Sequence, residues 1–228
     1  MSSRDHTPPT TGGRRLLRWI SRTAVGFVAL FLVANAVIVL GWAVARLTRH
    51  HLPIAAIAGI THLRVVDDRV LRGDAPSPES YQALAEAGVT TVVDLRAERG
   101  IVVPEVMLVA AGITRHRLPI RDGQTPTAEQ VEAFMEIVRE AEGLVYVHCG
   151  AGVGRTGSMA AAYVIRSGQA SPLAALHANL SVGPPSLEQL AFVMGLARNR
   201  AVEQPAVAVS TISRLLDAPR RIWTVLSG

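Results

Sequence analysis

The chain has 228 residues, room for one domain of ordinary size with appendages. Hydrophobic residues make up 49% and aromatics only 4%, so a sizeable core must be built mostly from Ala, Val, Leu and Ile. The 23 basic residues are all Arg, the formal charge is +5, and the single cysteine, Cys149, excludes an intramolecular disulfide framework and a cysteine-based zinc site.

The positive excess sits at the ends. Residues 61–202 hold 13 Arg against 15 Asp or Glu, whereas the first 49 residues hold seven Arg and one Asp. A basic face on the domain is not supported, and with it no nucleic-acid footprint. Basic ends beside apolar segments point instead to a membrane surface.

Residues 1–22, rich in Ser, Thr, Pro, Gly and Arg, read as a disordered basic tail. Residues 23–45 carry no formal charge and, at about 1.5 Å per residue, can cross a hydrocarbon core of roughly 30 Å as one transmembrane helix. Trp19 and Trp42 stand near its ends, as interfacial aromatics do. A buried core helix rarely stays uncharged for so long. A cleaved signal peptide has Ala43-Val44-Ala45 in its favour but a shorter apolar region than this one. The expectation is therefore a single-pass anchor. Arg4, Arg14, Arg15, Arg18 and Arg22 precede it, against Arg46, Arg49 and Arg64 after it, which favours a cytoplasmic N-terminus.

Residues 46–60 form a linker, and 61–202 the domain. Leu63–Val66 and Arg69–Leu71 read as a hairpin around Asp67-Asp68. Pro78–Ala87 is a short helix closed by Gly88. Thr91–Leu95 is a strand, Ile101–Ala111 a helix, and Thr114–Ile120 a strand leading into the turn Arg121-Asp122-Gly123. Thr127–Glu142 is a helix with Thr127 and Gln130 as a capping box, and Leu144–Val147 a strand. Helices follow near 155–167, 172–180 and 186–200. Strands alternating with helices predict an α/β fold, a central and mostly parallel sheet flanked by helices. Residues 203–228 are an amphipathic tail that could lie on anionic lipid or pack on the domain, with Pro219 expected to break any single long helix.

Chemistry concentrates where the strand ending at Val147 runs through His148 and Cys149 into Gly150-Ala151-Gly152-Val153-Gly154 and then Arg155-Thr156. Glycines let backbone N–H groups converge as an anion nest, and a helix starting near Arg155 adds the positive end of its dipole. Arg155, six residues after Cys149, can fold back for a bidentate grip on phosphate oxygens. The same field favours the thiolate of Cys149, a nucleophile. Thr156 could hydrogen-bond the sulfur and help it leave. His148 alternates to the opposite side of the strand from Cys149.

His-Cys-x5-Arg-Thr, from His148 to Thr156, resembles the signature of cysteine-dependent protein tyrosine and dual-specificity phosphatases, and the resemblance spans roughly residues 60–200. It implies a dual-specificity phosphatase-like fold and two displacements at phosphorus, with no metal and no cofactor. Cys149 would attack while Arg155 and the amides of Gly150, Ala151, Gly152, Val153 and Gly154 hold the oxygens. Leu118-Pro119-Ile120-Arg121-Asp122 lies 27 residues before Cys149, where smaller members carry a general-acid loop, so Asp122 is the candidate acid; a turn-forming Asp is the plainer reading. The resemblance gives His148 an orienting role through hydrogen bonds to the loop.

Leu71-Arg72-Gly73, Gly88-Val89 and Val92–Arg96 match the start of the compact type. Asp94 and Arg96 read as a structural ion pair rather than as pocket edge. In Pro184–Leu190, Gln189 is either a neighbour of the catalytic loop or a solvent-facing helix residue. The implied substrates are phosphoproteins carrying phosphotyrosine, extending to phosphoserine or phosphothreonine. A phosphorylated lipid or small molecule is the first alternative, disfavoured by the uncharged residues 150–154. A catalytically silent phosphate-binding module is the second. The side of the membrane on which the domain lies stays open, because an external site would meet oxidants and few phosphoproteins.

Overall fold

The computed structural model describes residues 11–48, 57, 59–98 and 103–226. Two compact units divide at residue 40. The first consists of most of helix α1, which runs Thr11–Leu47. The stretch Arg18–Leu47, 30 residues with mean hydropathy 2.5, is long and apolar enough to cross a membrane by length and composition. The helix starts earlier than the sequence suggested. Residues 11–22, expected as irregular tail, are helical because a long apolar helix supplies the costly nucleus and adding Arg, Leu and Ile turns to it is cheap. Residues 1–10 of that tail, and residues 49–56 and 58 of the expected linker, lie outside the described residues.

The second unit is built on a five-stranded sheet in the order β1-β2-β5-β3-β4. Strands β1 (Arg64–Val65) and β2 (Val70–Gly73) form the antiparallel hairpin around Asp67-Asp68. The side chain of Asp67 accepts from the N–H groups of Arg69 and Val70 and closes that turn. Strands β3 (Val89–Arg96), β4 (Thr114–Ile120) and β5 (Leu144–His148) are parallel to their neighbours, with β5 between β2 and β3. A parallel strand buried on both faces reads as a nearly continuous apolar run, as Val145-Tyr146-Val147 does.

Alternation sorts the core into two halves. Val70, Val93, Leu95, Val145 and Val147 face helices α4 (Ala128–Glu140), α5 (Gly154–Arg166), α6 (Pro172–Val182) and α7 (Leu187–Gly195). Leu71, Val92 and Tyr146 face α2 (Ser80–Glu86) and α3 (Glu105–Ala111). Helix α4 buries Val131, Phe134 and Val138 on one stripe and starts at the expected Thr127–Gln130 capping box. Full burial of a side chain such as Phe134 contributes about 1.5–3 kcal/mol. Helix α5 is the most enclosed. Gly157, Ser158, Ala160, Ala161 and Ala162 are all buried, and their small side chains let the helix lie close to the sheet and to α6.

Most bounds agree to within two residues, and the larger differences from the reading lie in three helices. Helix α3 begins at Glu105 behind Pro104, while residues 101 and 102 lie outside the described residues. Helix α7 ends at Gly195 rather than near 200, because Leu196 turns to extended geometry and buries its side chain in the core. Helix α8 (Val207–Leu226) runs through Pro219 without a break, since the proline withholds one N–H from a ladder 20 residues long. The described part of this tail packs on the domain: Ser213 and Leu216 are buried and α8 contacts α7.

Candidate active site

Open α/β sheets bind ligands beyond the carboxyl ends of their parallel strands. The singled-out residues converge there. Cys149 follows β5, Asp122 follows β4, and Arg155 lies in the first turn of α5. A cavity of about 120 Å³ is lined by Asp122, Cys149, Ala151, Val153, Gly154 and Arg155, together with Gln189 and Asp217. A larger one, about 440 Å³, lies among β1, α5 and α6, with mostly Ala and Val on its walls and neither Cys149 nor Arg155. The smaller cavity is therefore the candidate site.

The loop is held by its carbonyls. Gly150 O accepts from Ala75 N at 2.8 Å, and Gly152 O and Val153 O accept from Arg72 at 2.9 and 3.2 Å. None of the N–H groups of Gly150 to Val153 donates to a protein acceptor among the described residues. The N-cap, Val153, has no side-chain cap, so the first-turn donors of α5 are not consumed by one either. Unsatisfied donors at the N-terminus of a 13-residue helix make a candidate anion site. Gly152 sits at φ 70, a conformation other residues enter at a cost.

Arg155 is 5% exposed at its side chain. Its Nη1 donates to Glu98 Oε2 at 2.7 Å and to Ile120 O at 3.2 Å, and its Nη2 donates to Glu98 Oε1 at 2.8 Å. Three of its five N–H groups are thereby used. The two remaining lie on the Nε–Nη2 edge, the fork that can take two oxygens of a phosphate. Asp122 Oδ1 stands 3.3 Å from Nη2, and its side chain is two-thirds exposed. Burial disfavours the charge of Arg155, but its hydrogen bonds to Glu98, together with electrostatic attraction to Cys149, Glu98 and Asp122, outweigh it and its pKa is raised. Burial likewise opposes ionisation of Glu98, and the Arg155 guanidinium, with a backbone N–H and the charge of Arg96, holds this carboxyl below the ordinary carboxylate value.

His148 is fully buried and stacks on Tyr146 with ring centroids 5.9 Å apart, on the face of β5 away from Cys149. Its Nδ1 lies 3.0 Å from Cys149 O, and since a carbonyl only accepts, Nδ1 carries the proton. Burial lowers the pKa of the ring, which keeps it neutral. Thr156 does not meet expectation. Its hydroxyl is buried and has no hydrogen-bond partner among the described residues, the Cys149 sulfur included. Position 156 lies in the first turn of α5, where side-chain direction follows the helix rather than the sulfur.

Gln189 is 3% exposed and belongs to the site wall, not to solvent. It caps α7 with Ser186, donates to Gln124 O at 3.0 Å, and a Cβ on Gly154 would overlap its amide. Asp94 and Arg96 form the structural pair foreseen, with contacts of 2.8 and 2.9 Å. Sequence reasoning passed over Glu98 and Asp217. Glu98 carried one usable signal, an acid just past the carboxyl end of a parallel strand. Asp217 carried none, because its approach depends on how α8 docks.

A loop of unpaired backbone amides thus stands beside a buried thiol at the carboxyl edge of a parallel sheet. Residues 66–169 match the Tc-R-P family model, described as "Polymorphic toxin system, DSP-PTPase phosphatase". Human dual specificity protein phosphatase CDC14C is 38% identical over 91 residues, 40% of this chain and 20% of that protein. Mouse CDC14A is 35% identical over 91 residues, 40% of this chain and 15% of its own length. The chain thus spans a fifth or less of these curated relatives. The fold is shared with P. aeruginosa TpbA (TM-score 0.52, 23% identity, 71% of this chain and 94% of that one). It is also shared with PTPMT1, solved in complex with PI(5)P (TM-score 0.51, 21% identity, 70% and 99%). The matched region, residues 66–169, spans a little under half of the chain and is similar to dual-specificity phosphatase domains.

Proposed function

We propose that this protein hydrolyses phosphate monoesters on phosphotyrosine, and by extension phosphoserine or phosphothreonine, in proteins, through a cysteinyl-phosphate at Cys149. The observation that carries the reading is the meeting of Cys149, Arg155 and Asp122 in one small cavity with unpaired loop amides. In the first displacement the Cys149 thiolate forms a bond to phosphorus and the bond to the leaving oxygen breaks. Asp122, as the acid, gives that oxygen its proton. The Nε–Nη2 edge of Arg155, which Asp122 faces at 3.3 Å in the absence of substrate, and the amides of residues 150–154 balance the charge on the other oxygens. In the second, water attacks, Asp122 as carboxylate takes its proton, and sulfur leaves as thiolate with phosphate released. His148 keeps the loop oriented, and Thr156 assists the leaving sulfur only after a change of rotamer.

The apolar helix supports single-pass membrane attachment through residues 23–45, and the Arg excess before it favours a cytoplasmic N-terminus. Such tethering favours one other reading, a phosphorylated lipid as substrate. The uncharged residues 150–154 weigh against highly charged headgroups. The test is phosphate release by the full chain in detergent, with chelator, from an aryl phosphate, phosphopeptides and phospholipid vesicles. Turnover greatest on phosphopeptides supports the reading. Turnover on lipid alone replaces it, and a folded protein inert on all three is a binding module.

A further inference from the structure

The phosphate loop has a back as well as a front. Three of its carbonyls are taken by one segment, the end of β2: Gly150 O by Ala75 N, and Gly152 O and Val153 O by the Arg72 guanidinium. The fit is close, since a Cβ on Gly152 would overlap the backbone of Gly73 and Asp74. Arg72 is itself 4% exposed, and its Nη1 donates to Asn179 Oδ1 at 2.6 Å. Asn179, 5% exposed on α6, turns its Nδ2 to Gly157 O in α5 at 2.7 Å. One guanidinium and one amide thus link β2, the loop, α5 and α6, and neither side chain lines the cavity that holds Cys149.

A peptide unit whose carbonyl is pinned on one side must present the N–H of the next residue on the other. Donors behind the loop therefore aim its amides forward. We propose that Arg72 and Asn179 are a positioning pair that fixes the phosphate loop in its anion-binding shape from behind, Arg72 setting the peptide planes and Asn179 fixing Arg72. The proposal rests on the phosphatase reading for its catalytic consequence but not for its anion-binding one.

The test uses the full chain in detergent, with Arg72→Leu, Arg72→Lys, Asn179→Ala and the double variant Arg72→Leu/Asn179→Ala. Orthovanadate binding is measured by calorimetry, kcat and KM on an aryl phosphate, and melting by circular dichroism. Misplacement of a binding group by about 1 Å costs roughly 10²-fold, so Arg72→Leu and Asn179→Ala should weaken vanadate by about 10- to 100-fold. They should lower kcat by a similar factor with less change in KM. The double variant should lose no more than Arg72→Leu, because the two act as one unit. Arg72→Lys, which keeps the charge but has one donor nitrogen in place of the guanidinium fork, should recover part of the loss.

A cooperatively melting Asn179→Ala or Arg72→Leu with wild-type vanadate affinity overturns the proposal, leaving a purely structural pair. If Arg72→Leu does not fold, Asn179→Ala decides. A wild-type protein that binds vanadate without turnover, and loses binding in Asn179→Ala, supports the positioning pair while removing the phosphatase reading. Turnover in wild type with unchanged vanadate binding in the variants does the reverse.

Discussion

Two glycines in left-handed geometry give the site an internal control. Gly112, at φ 65, ends α3 with nothing within 4 Å of an added Cβ. Gly152, at φ 70 in the phosphate loop, would drive that Cβ into the carbonyl of Gly73 and the N of Asp74, which are backbone and cannot rotate away. Alanine at either pays the left-handed cost, about 1–2 kcal/mol. At Gly152 it also meets an overpacking cost of about 1–3 kcal/mol. At about 2–4 °C per kcal/mol for a chain of this size, Gly112→Ala should lower Tm by a few degrees and Gly152→Ala by roughly 10 °C. Relief of the overlap must shift the loop, so Gly152→Ala should also lose about 10²-fold in kcat/KM on an aryl phosphate. Gly112→Ala should keep wild-type turnover. Thermal melts and initial rates on the full chain decide it. Equal melting of the two variants with equal turnover would refute the claim that the loop is wedged against β2.

Three further outcomes follow from the site. Glu98→Gln removes a charged acceptor from Arg155, and because Glu98 is half exposed the loss should be about 1 kcal/mol, a five- to tenfold fall in kcat/KM; unchanged kinetics would show that Glu98 does not hold Arg155 during the reaction. Asp122→Asn should slow hydrolysis of phosphotyrosine by about 10²-fold and of an activated aryl phosphate by less, in initial-rate assays, since only a poor leaving group needs the proton; an equal loss on both would argue against an acid. Burial holds His148 below its ordinary value of 6.5, so below that pH the unfolded chain takes up a proton that the native state resists. Stability should therefore fall as pH drops from 6.5, by up to about 1.4 kcal/mol per unit, and denaturant midpoints of His148→Asn should lack that component.

The parts legible in the sequence were those with local causes. The strand through Val147, the glycine loop and Arg155 follow one another in the chain, so spacing alone placed Cys149 and Arg155 together. The capping box of Thr127 and Gln130, the turn glycine at 123 and the alternation that parts His148 from Cys149 are local in the same sense. What stayed hidden depends on tertiary pairing. Glu98 is 57 residues from the arginine it grips, Asn179 is 107 from Arg72, and Asp217 reaches the cavity only because α8 docks on α7. Gln189 was ambiguous because a capping glutamine can face solvent or core, and the packing of Gly154 against it settles which. Thr156 failed because a hydroxyl near a sulfur in sequence need not point at it. The early start of α1 is hidden because a basic, glycine-containing stretch reads as irregular alone and is helical only as the extension of the apolar helix after it.

The central claim is a covalent phosphoryl group on one sulfur. The most direct measurement is rapid acid quench of the full chain during turnover of an aryl phosphate, with chelator present, followed by peptide mass analysis. The account predicts one phosphoryl group on Cys149, formed and lost at rates compatible with turnover, and neither label nor turnover in Cys149→Ser. Sustained hydrolysis by Cys149→Ser, or turnover with no phosphorylated Cys149 at any quench time, would contradict it.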